Sequence, residues 1–300
     1  MLSHIKEFLK LVRWFHELLA ILPFVALYFI INYFINQSGQ SCNLSAVNFI
    51  VLCFCVQLLL AAGCILNDIM DIDIDKINKP HTHIIGRTIS LKTAKLLFVV
   101  MTVLIIIFST YISIYIFKEW AFIAICVYTL SFLYDIYFKR SPLLGNILMA
   151  ALASFIPLVI LFFAKDCITM LHNPRIEVLI YLYAVFPFLI IIARELSLDI
   201  SDMEGDKADG CKTLPIVIGA KKSKVVVVAF LLLVIVLSAF LMYYYSYFTI
   251  TFSIIDVLLV VYIYKLRTTE TRIEYIRIGR FLWFIMILGL VSASISTVIA

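Results

Sequence analysis

Asn67, Asp68, Asp71 and Asp75 bring one amide and three carboxylates together in the stretch NDIMDIDID. On a helix turning about 100° per residue, Asn67, Asp71 and Asp75 fall within about 80° of arc, with Asp68 at the edge, so the four share a face. The D-x-x-D-x-x-x-D spacing returns at Asp199, Asp202 and Asp206, in RELSLDISDMEGDKADGCKTLP, where Glu195 joins them within about 60°. Asp73 and Glu204 point away from these faces and belong in water. Carboxylates held this close at lowered dielectric repel one another strongly unless a cation lies between them. Oxygen-only donors select hard divalent ions, and Mg²⁺ in particular takes one or two carboxylates and completes its shell with phosphate oxygens. No His or Cys pair has zinc spacing; the HTH at His81 to His83 lacks a partner pair.

The elements that hold these faces are membrane helices. Of the 300 residues, 64% are hydrophobic and 14% charged, and the mean hydropathy is +1.09. A soluble domain is only about 45–50% apolar. Crossing the hydrocarbon layer takes about 20 apolar residues, and the charged clusters separate nine such segments, at 14–35, 44–66, 93–117, 119–138, 143–164, 177–198, 224–246, 248–265 and 277–299. Between the third and fourth, only Lys118 and Glu119 are left to make the turn.

Charge orients the chain, because cytoplasmic loops retain Lys and Arg. With the N-terminus inside, 21 of the 24 Lys and Arg residues lie on one face, leaving Lys118, Lys165 and Arg175 for the other. The net charge of +5 is therefore a topology signal and implies no nucleic-acid partner. The C-terminus is expected on the side opposite the N-terminus. The first segment is too long for a cleavable signal peptide and lacks a small-residue cleavage site. The seven cysteines include no C-x-x-C pair and sit mostly in apolar segments, which reads as small core residues.

Both acidic faces close an even-numbered segment, the second and the sixth, so both belong to one membrane face. Each precedes a basic loop with Pro and Gly: Lys79, Pro80, Gly86 and Arg87 in the first, Lys212, Pro215 and Gly219 in the second. An internal duplication of a four-helix unit with a ninth helix appended accounts for this pattern. Lys79, Arg87, Lys139, Arg194 and Lys212 project from that same face, in segments expected to be loops that also carry Gly86, Gly145, Gly205, Gly210 and Gly219. Cations beside flexible backbone suit a phosphate clamp. Next to two metal-binding faces they suggest a diphosphate.

These residues resemble the UbiA superfamily of intramembrane prenyltransferases. Its N-D-x-x-D-x-x-x-D and D-x-x-D-x-x-x-D motifs are matched at Asn67, Asp68, Asp71 and Asp75 and at Asp199, Asp202 and Asp206. The stretch YDIYFKRSPLLGN, Tyr134 to Asn146, is similar to the family's loop after the fourth helix, with its lysine at Lys139. The resemblance implies an all-α membrane protein, a bundle of nine transmembrane helices built from two four-helix pseudo-repeats plus a ninth helix around a central cavity. It forms one domain over 1–300, capped on the cytoplasmic face by segments at about 67–92 and 199–223. It also implies two Mg²⁺ ions on the motif residues and an isoprenyl diphosphate held by Asn67, Lys79, Arg87, Lys139, Arg194 and Lys212. Lys139, Lys212 and Arg194 would serve catalysis by neutralising the charge that builds on the leaving diphosphate.

REL, DMEGD and KTLPIVIG look like the branch that alkylates a glycerol phosphate derivative, whereas DKINKP looks like the quinone-precursor branch; HTHII, His81 to Ile85, departs from both. The acceptor is therefore an aromatic quinone precursor or a glycerol-phosphate lipid. Two other readings stand beside transfer. A terpene cyclase on the same scaffold would quench the cation with the substrate's own double bonds. A secondary transporter is the third, although its site belongs near the bilayer midplane and these acids lie at helix ends.

Overall fold

The computed structural model describes residues 2–39, 41–42, 44–78 and 80–300, without the side chains of residues 2–4. Its helices are α1 (Leu2–Leu11), α2 (Trp14–Ser38), α3 (Ala46–Met70), α4 (Ile72–Asn78), α5 (Leu91–Tyr115), α6 (Trp120–Ile136), α7 (Leu144–Phe155), α8 (Ile160–Phe163), α9 (Lys165–Leu171), α10 (Pro174–Ala208), α11 (Leu214–Ile218), α12 (Ala220–Tyr244), α13 (Thr249–Thr268) and α14 (Arg272–Ile299). Short 3₁₀ turns occupy Phe138–Arg140, Pro157–Val159 and Ser246–Phe248. No strand occurs among the described residues; one isolated bridge joins Ile85 and Ile89. A chain that must satisfy its backbone inside lipid has helices as its simplest recourse.

Among the described residues, seven helices are long and apolar enough to cross a membrane: α2, α3, α5, α10, α12, α13 with the turn before it, and α14. Two expected segments take other forms. The one at 119–138 is α6, with 17 residues. The one at 143–164 is broken into α7 and Pro157–Phe163, because Pro157 brings no N–H and its ring clashes with the preceding turn. The turn between α5 and α6 takes in Ile116 and Phe117 as well as Lys118 and Glu119.

Helix α10 continues ten residues past the end of the expected span at 198. Charged residues stop a span in lipid but do not stop a helix in water, where the backbone bonds continue until Asp209 and Gly210, the latter at φ 74°. At its other end Asn173 accepts from the Arg175 backbone N–H, ahead of Pro174 in the first turn. Gly145 and Gly205, expected in loops, lie inside α7 and α10.

The chain forms two compact units. The first comprises Met1–Phe138 and Val159–His172, the second Lys139–Leu158 and Asn173–Ala300. In the first, α3 packs against α2, α5 and α6. Beside it Leu11 and Val12 pack with Ala61, Ile65, Ile85 and Ala94. Ile84 and Ile85 of the unusual HTHII stretch are thus packing residues, and Gly86 at φ 87° turns the chain after them. In the second unit α10 is the most buried helix, with α7, α11, α12 and α14 against it. Its core includes Ile192, Leu196, Val227, Leu231, Leu259, Tyr262 and Leu282.

The cysteine reading needs correction at two positions. Cys42, in the loop after α2, and Cys167, in α9, form a disulfide with Cα atoms 5.6 Å apart, a separation well suited to a bridge. Cys53, Cys55, Cys64, Cys126 and Cys211 are free.

Candidate active site

In the first unit the acidic motif straddles a hitch in the helix. Asp71 ends α3 with φ −96° and ψ 10°. The bonding register survives: the Asp71 N–H donates to the Asn67 carbonyl at 2.9 Å and the Asp75 N–H to the Asp71 carbonyl at 2.8 Å. The face predicted for a regular helix is therefore kept. Asp68, Asp71 and Asp75 are buried, with 8%, 7% and 9% of their surface exposed, whereas the Asp73 side chain is 85% exposed and pairs with Lys76.

Arg13 and Asp135, which the spacing did not flag, join this cluster. Arg13, between α1 and α2, donates through one nitrogen, Nη2, to Asn67 Oδ1 at 3.0 Å and to Asp68 Oδ1 at 2.8 Å. Asn67 in turn donates from Nδ2 to Asp135 Oδ1 at 2.8 Å. Asp135 is buried at the end of α6. Its signal in the sequence is a carboxylate closing an apolar segment, inside the stretch that carries Lys139; Arg13 carries only the signal of a topology charge. Arg87 is exposed, with its Nε donating to the His83 carbonyl at 3.2 Å. Lys79 lies outside the described residues.

In the second unit the motif lies on α10 without interruption. Asp199 accepts from Asn146 Nδ2 at 2.9 Å, and Asn146 is buried in the first turn of α7. Asp202 accepts from Arg272 Nε at 2.9 Å, at the start of α14. Asp206 and Glu204 follow, half-buried and exposed respectively. Arg194 pairs with Glu195 and lies 5.2 Å from the centre of the Trp283 ring. Lys139 is half-buried in the 3₁₀ turn, and the Lys212 side chain is exposed. The two stretches meet: the Lys212 N–H donates to the Arg140 carbonyl at 2.9 Å, and Arg140 pairs with Asp209 at 2.8 Å. Burial pushes the neighbouring Cys211 thiol up to about 11, so it stays protonated at neutral pH.

Among the described residues no three His, Cys, Asp or Glu side chains converge as a ready cation cage. Mg²⁺ needs no such cage, since it takes few protein ligands and shares the rest with water and phosphate. The donor set fits it. Asn67 and Asp68 already aim two oxygens at one positive nitrogen, and every motif side chain offers oxygen.

The UbiA prenyltransferase family model matches residues 15–295. The chain belongs to this family. The digeranylgeranylglyceryl phosphate synthase of Pyrococcus furiosus is 35% identical over 159 residues, 53% of this chain and 52% of its own. That of Methanobrevibacter smithii is 31% identical over 172 residues, 55% and 56% of the two chains. The chain spans about half the length of the curated relatives it matches. Among solved structures, one of digeranylgeranylglyceryl phosphate synthase in membranes aligns with a TM-score of 0.65 at 25% identity, covering 99% of this chain and all of the other. A UbiA homologue from Archaeoglobus fulgidus, bound to GPP and Mg²⁺, has the same fold with a TM-score of 0.60 at 17% identity, covering 96% and 99%. The UbiA fold therefore extends over nearly the whole chain, in an integral membrane protein with several spanning helices.

Proposed function

We propose that this UbiA family member is a Mg²⁺-dependent prenyltransferase that moves an isoprenyl chain from an isoprenyl diphosphate to a glycerol-phosphate lipid, with release of diphosphate. The observation that carries this reading is the recurrence of one acidic spacing, once in each unit, within a family match from 15 to 295. In each unit an arginine hydrogen-bonds to that motif, Arg13 in the first and Arg272 in the second, where Asn146 also donates to Asp199. The acceptor class is supported by the name shared by the Pyrococcus and Methanobrevibacter relatives, and by REL, DMEGD and KTLPIVIG in this chain.

In this reading Asn67, Asp68, Asp71 and Asp75, with Asp199, Asp202 and Asp206, hold the metal. Bound Mg²⁺ would neutralise charge on the diphosphate oxygens. Lys79, Arg87, Lys139, Arg194 and Lys212 grip the diphosphate. Lys139, Lys212 and Arg194 gain most as the carbon–oxygen bond lengthens and negative charge collects on the leaving group. The apolar helices keep water from the carbocation-like chain until the acceptor oxygen takes it.

The architecture proposed with this chemistry has nine spans, two four-helix repeats and a ninth helix, forming one functional domain over 1–300. Support comes from helices at all nine expected segments, with α6 short and α7–α8 broken. The N-terminus and the caps at about 67–92 and 199–223 are cytoplasmic, and the C-terminus is opposite. The charge bias supports this orientation, and so does the disulfide: Cys42 and Cys167 lie in segments the charge count places outside, where disulfides persist.

Supplying the purified protein with Mg²⁺, a prenyl diphosphate and a glyceryl phosphate that already carries one isoprenyl chain tests the proposal by mass spectrometry. A doubly alkylated glyceryl phosphate with stoichiometric diphosphate is expected. A cyclic hydrocarbon or alcohol formed from the prenyl diphosphate alone would replace transfer by cyclisation.

A further inference from the structure

Arg13 occupies an unusual place for a residue at a helix junction. It takes a left-handed backbone, φ 51° and ψ 44°, in the two-residue break between α1 and α2, a region that side chains other than those of Gly, Asn and Asp rarely enter. From there its Nη2 satisfies Asn67 Oδ1 and Asp68 Oδ1 together. The orientation of Asn67 follows from chemistry alone. A guanidinium only donates and a carboxylate only accepts, so the amide turns its oxygen to Arg13 and its nitrogen to Asp135. The oxygen is the atom a hard cation needs, and Asp68 supplies the second. One nitrogen that serves both oxygens takes the position of a cation bridging them.

We propose that Arg13 is a tethered counter-ion that holds the cation position of the first acidic motif in the unloaded protein and yields it only when a divalent metal arrives together with a diphosphate. This rests on the assignment of Asn67 and Asp68 to metal binding made above. A bare divalent ion would have to expel the guanidinium from buried carboxylates, or lie beside it against like-charge repulsion. A metal accompanied by diphosphate brings the anion that an arginine pairs with best, so the displaced guanidinium need not stay unpaired. The motif therefore discriminates against metal alone. Asp135 is a positioning residue in this device, because it prevents the Asn67 amide from flipping.

Equilibrium dialysis of the full chain in nanodiscs against Mn²⁺, with and without inorganic diphosphate, tests this. The wild type is expected to bind Mn²⁺ at least tenfold more tightly with diphosphate than without. Arg13→Gln is expected to bind Mn²⁺ alone at least tenfold more tightly than the wild type, with a difference below threefold once diphosphate is present. A merely structural arginine predicts the opposite sign, since its loss would loosen the site. The proposal is overturned if Arg13→Gln binds Mn²⁺ alone no better than the wild type. It is equally overturned, without any variant, if diphosphate leaves the wild-type affinity unchanged. Asp68→Asn separates the two layers: unchanged Mn²⁺ binding in that variant overturns the metal assignment itself.

Discussion

The two acidic motifs have the same spacing and different surroundings. The first lies across the hitch at Asp71 with its three aspartates buried. The second rides an unbroken helix, half-buried at each aspartate. Their partners differ in kind. Asn67 is a motif residue held from both ends by Arg13 and Asp135, whereas Asn146 reaches Asp199 from another helix and Arg272 reaches Asp202 from a third. A repeated spacing thus preserves which carboxylates face together and leaves their counter-charges free to come from elsewhere.

The most severe test of this comparison removes the central aspartate of each motif. Asp71→Ala and Asp202→Ala are both expected to lower turnover at least a thousandfold, about 4 kcal/mol or more in activation free energy, with the helical circular dichroism unchanged. Chelation of Mg²⁺ should do the same to the wild type. Near-normal turnover in one variant would mean that only the other motif carries metal.

Lys139→Ala comes next. A charge-assisted contact to the leaving diphosphate is worth about 2–4 kcal/mol, roughly thirty- to a thousandfold in rate. The loss should appear in the chemical step of single-turnover kinetics more than in prenyl diphosphate affinity, because the contact strengthens as the bond breaks. An unchanged chemical step would return Lys139 to the role of a topology charge.

Asn146→Ala sharpens the comparison at a smaller scale. It takes the amide donor from Asp199, and a hydrogen bond to a charged group contributes about 1.5–3 kcal/mol. A rate loss of about ten- to a hundredfold is expected, with Asn67→Ala costing more because Asn67 is also a proposed ligand. Equal losses in the two variants would assign both amides the same supporting role.

The parts of this arrangement readable from sequence are those governed by one-dimensional rules. Hydropathy located the seven long apolar helices because lipid forces the backbone into helices, and helical phase grouped Asn67, Asp71 and Asp75 because the bonding register passes through Asp71. Long-range pairing follows no such rule. Cys42 and Cys167 are 125 residues apart, and nothing local to Arg13, Asp135, Asn146 or Arg272 names its partner. The expected spans at 143–164 and 177–198 do not show the break at Pro157 or the extension of α10 to Ala208, for a related reason. Hydropathy reports where lipid ends, while helix ends are set by proline, glycine and caps.

The smallest effects are expected at Asp73 and Glu204, which share the motifs' sequence but not their faces. Asp73 is exposed beside Lys76, and an ion pair of that kind is worth about 0.2–1 kcal/mol. Glu204 is exposed on the uninterrupted α10. Alanine at either should cost less than about tenfold in kcat/KM, or about 1.4 kcal/mol, and shift stability by no more than about 1 kcal/mol. Measuring both beside Asp71→Ala and Asp202→Ala isolates what the hitch does. If Glu204→Ala is mild and Asp73→Ala is as damaging as Asp71→Ala, the first motif abandons its helical phase during turnover and Asp73 swings onto the metal. If both are mild, the register through Asp71 holds during turnover, and the hitch leaves the helical phase of the first motif intact.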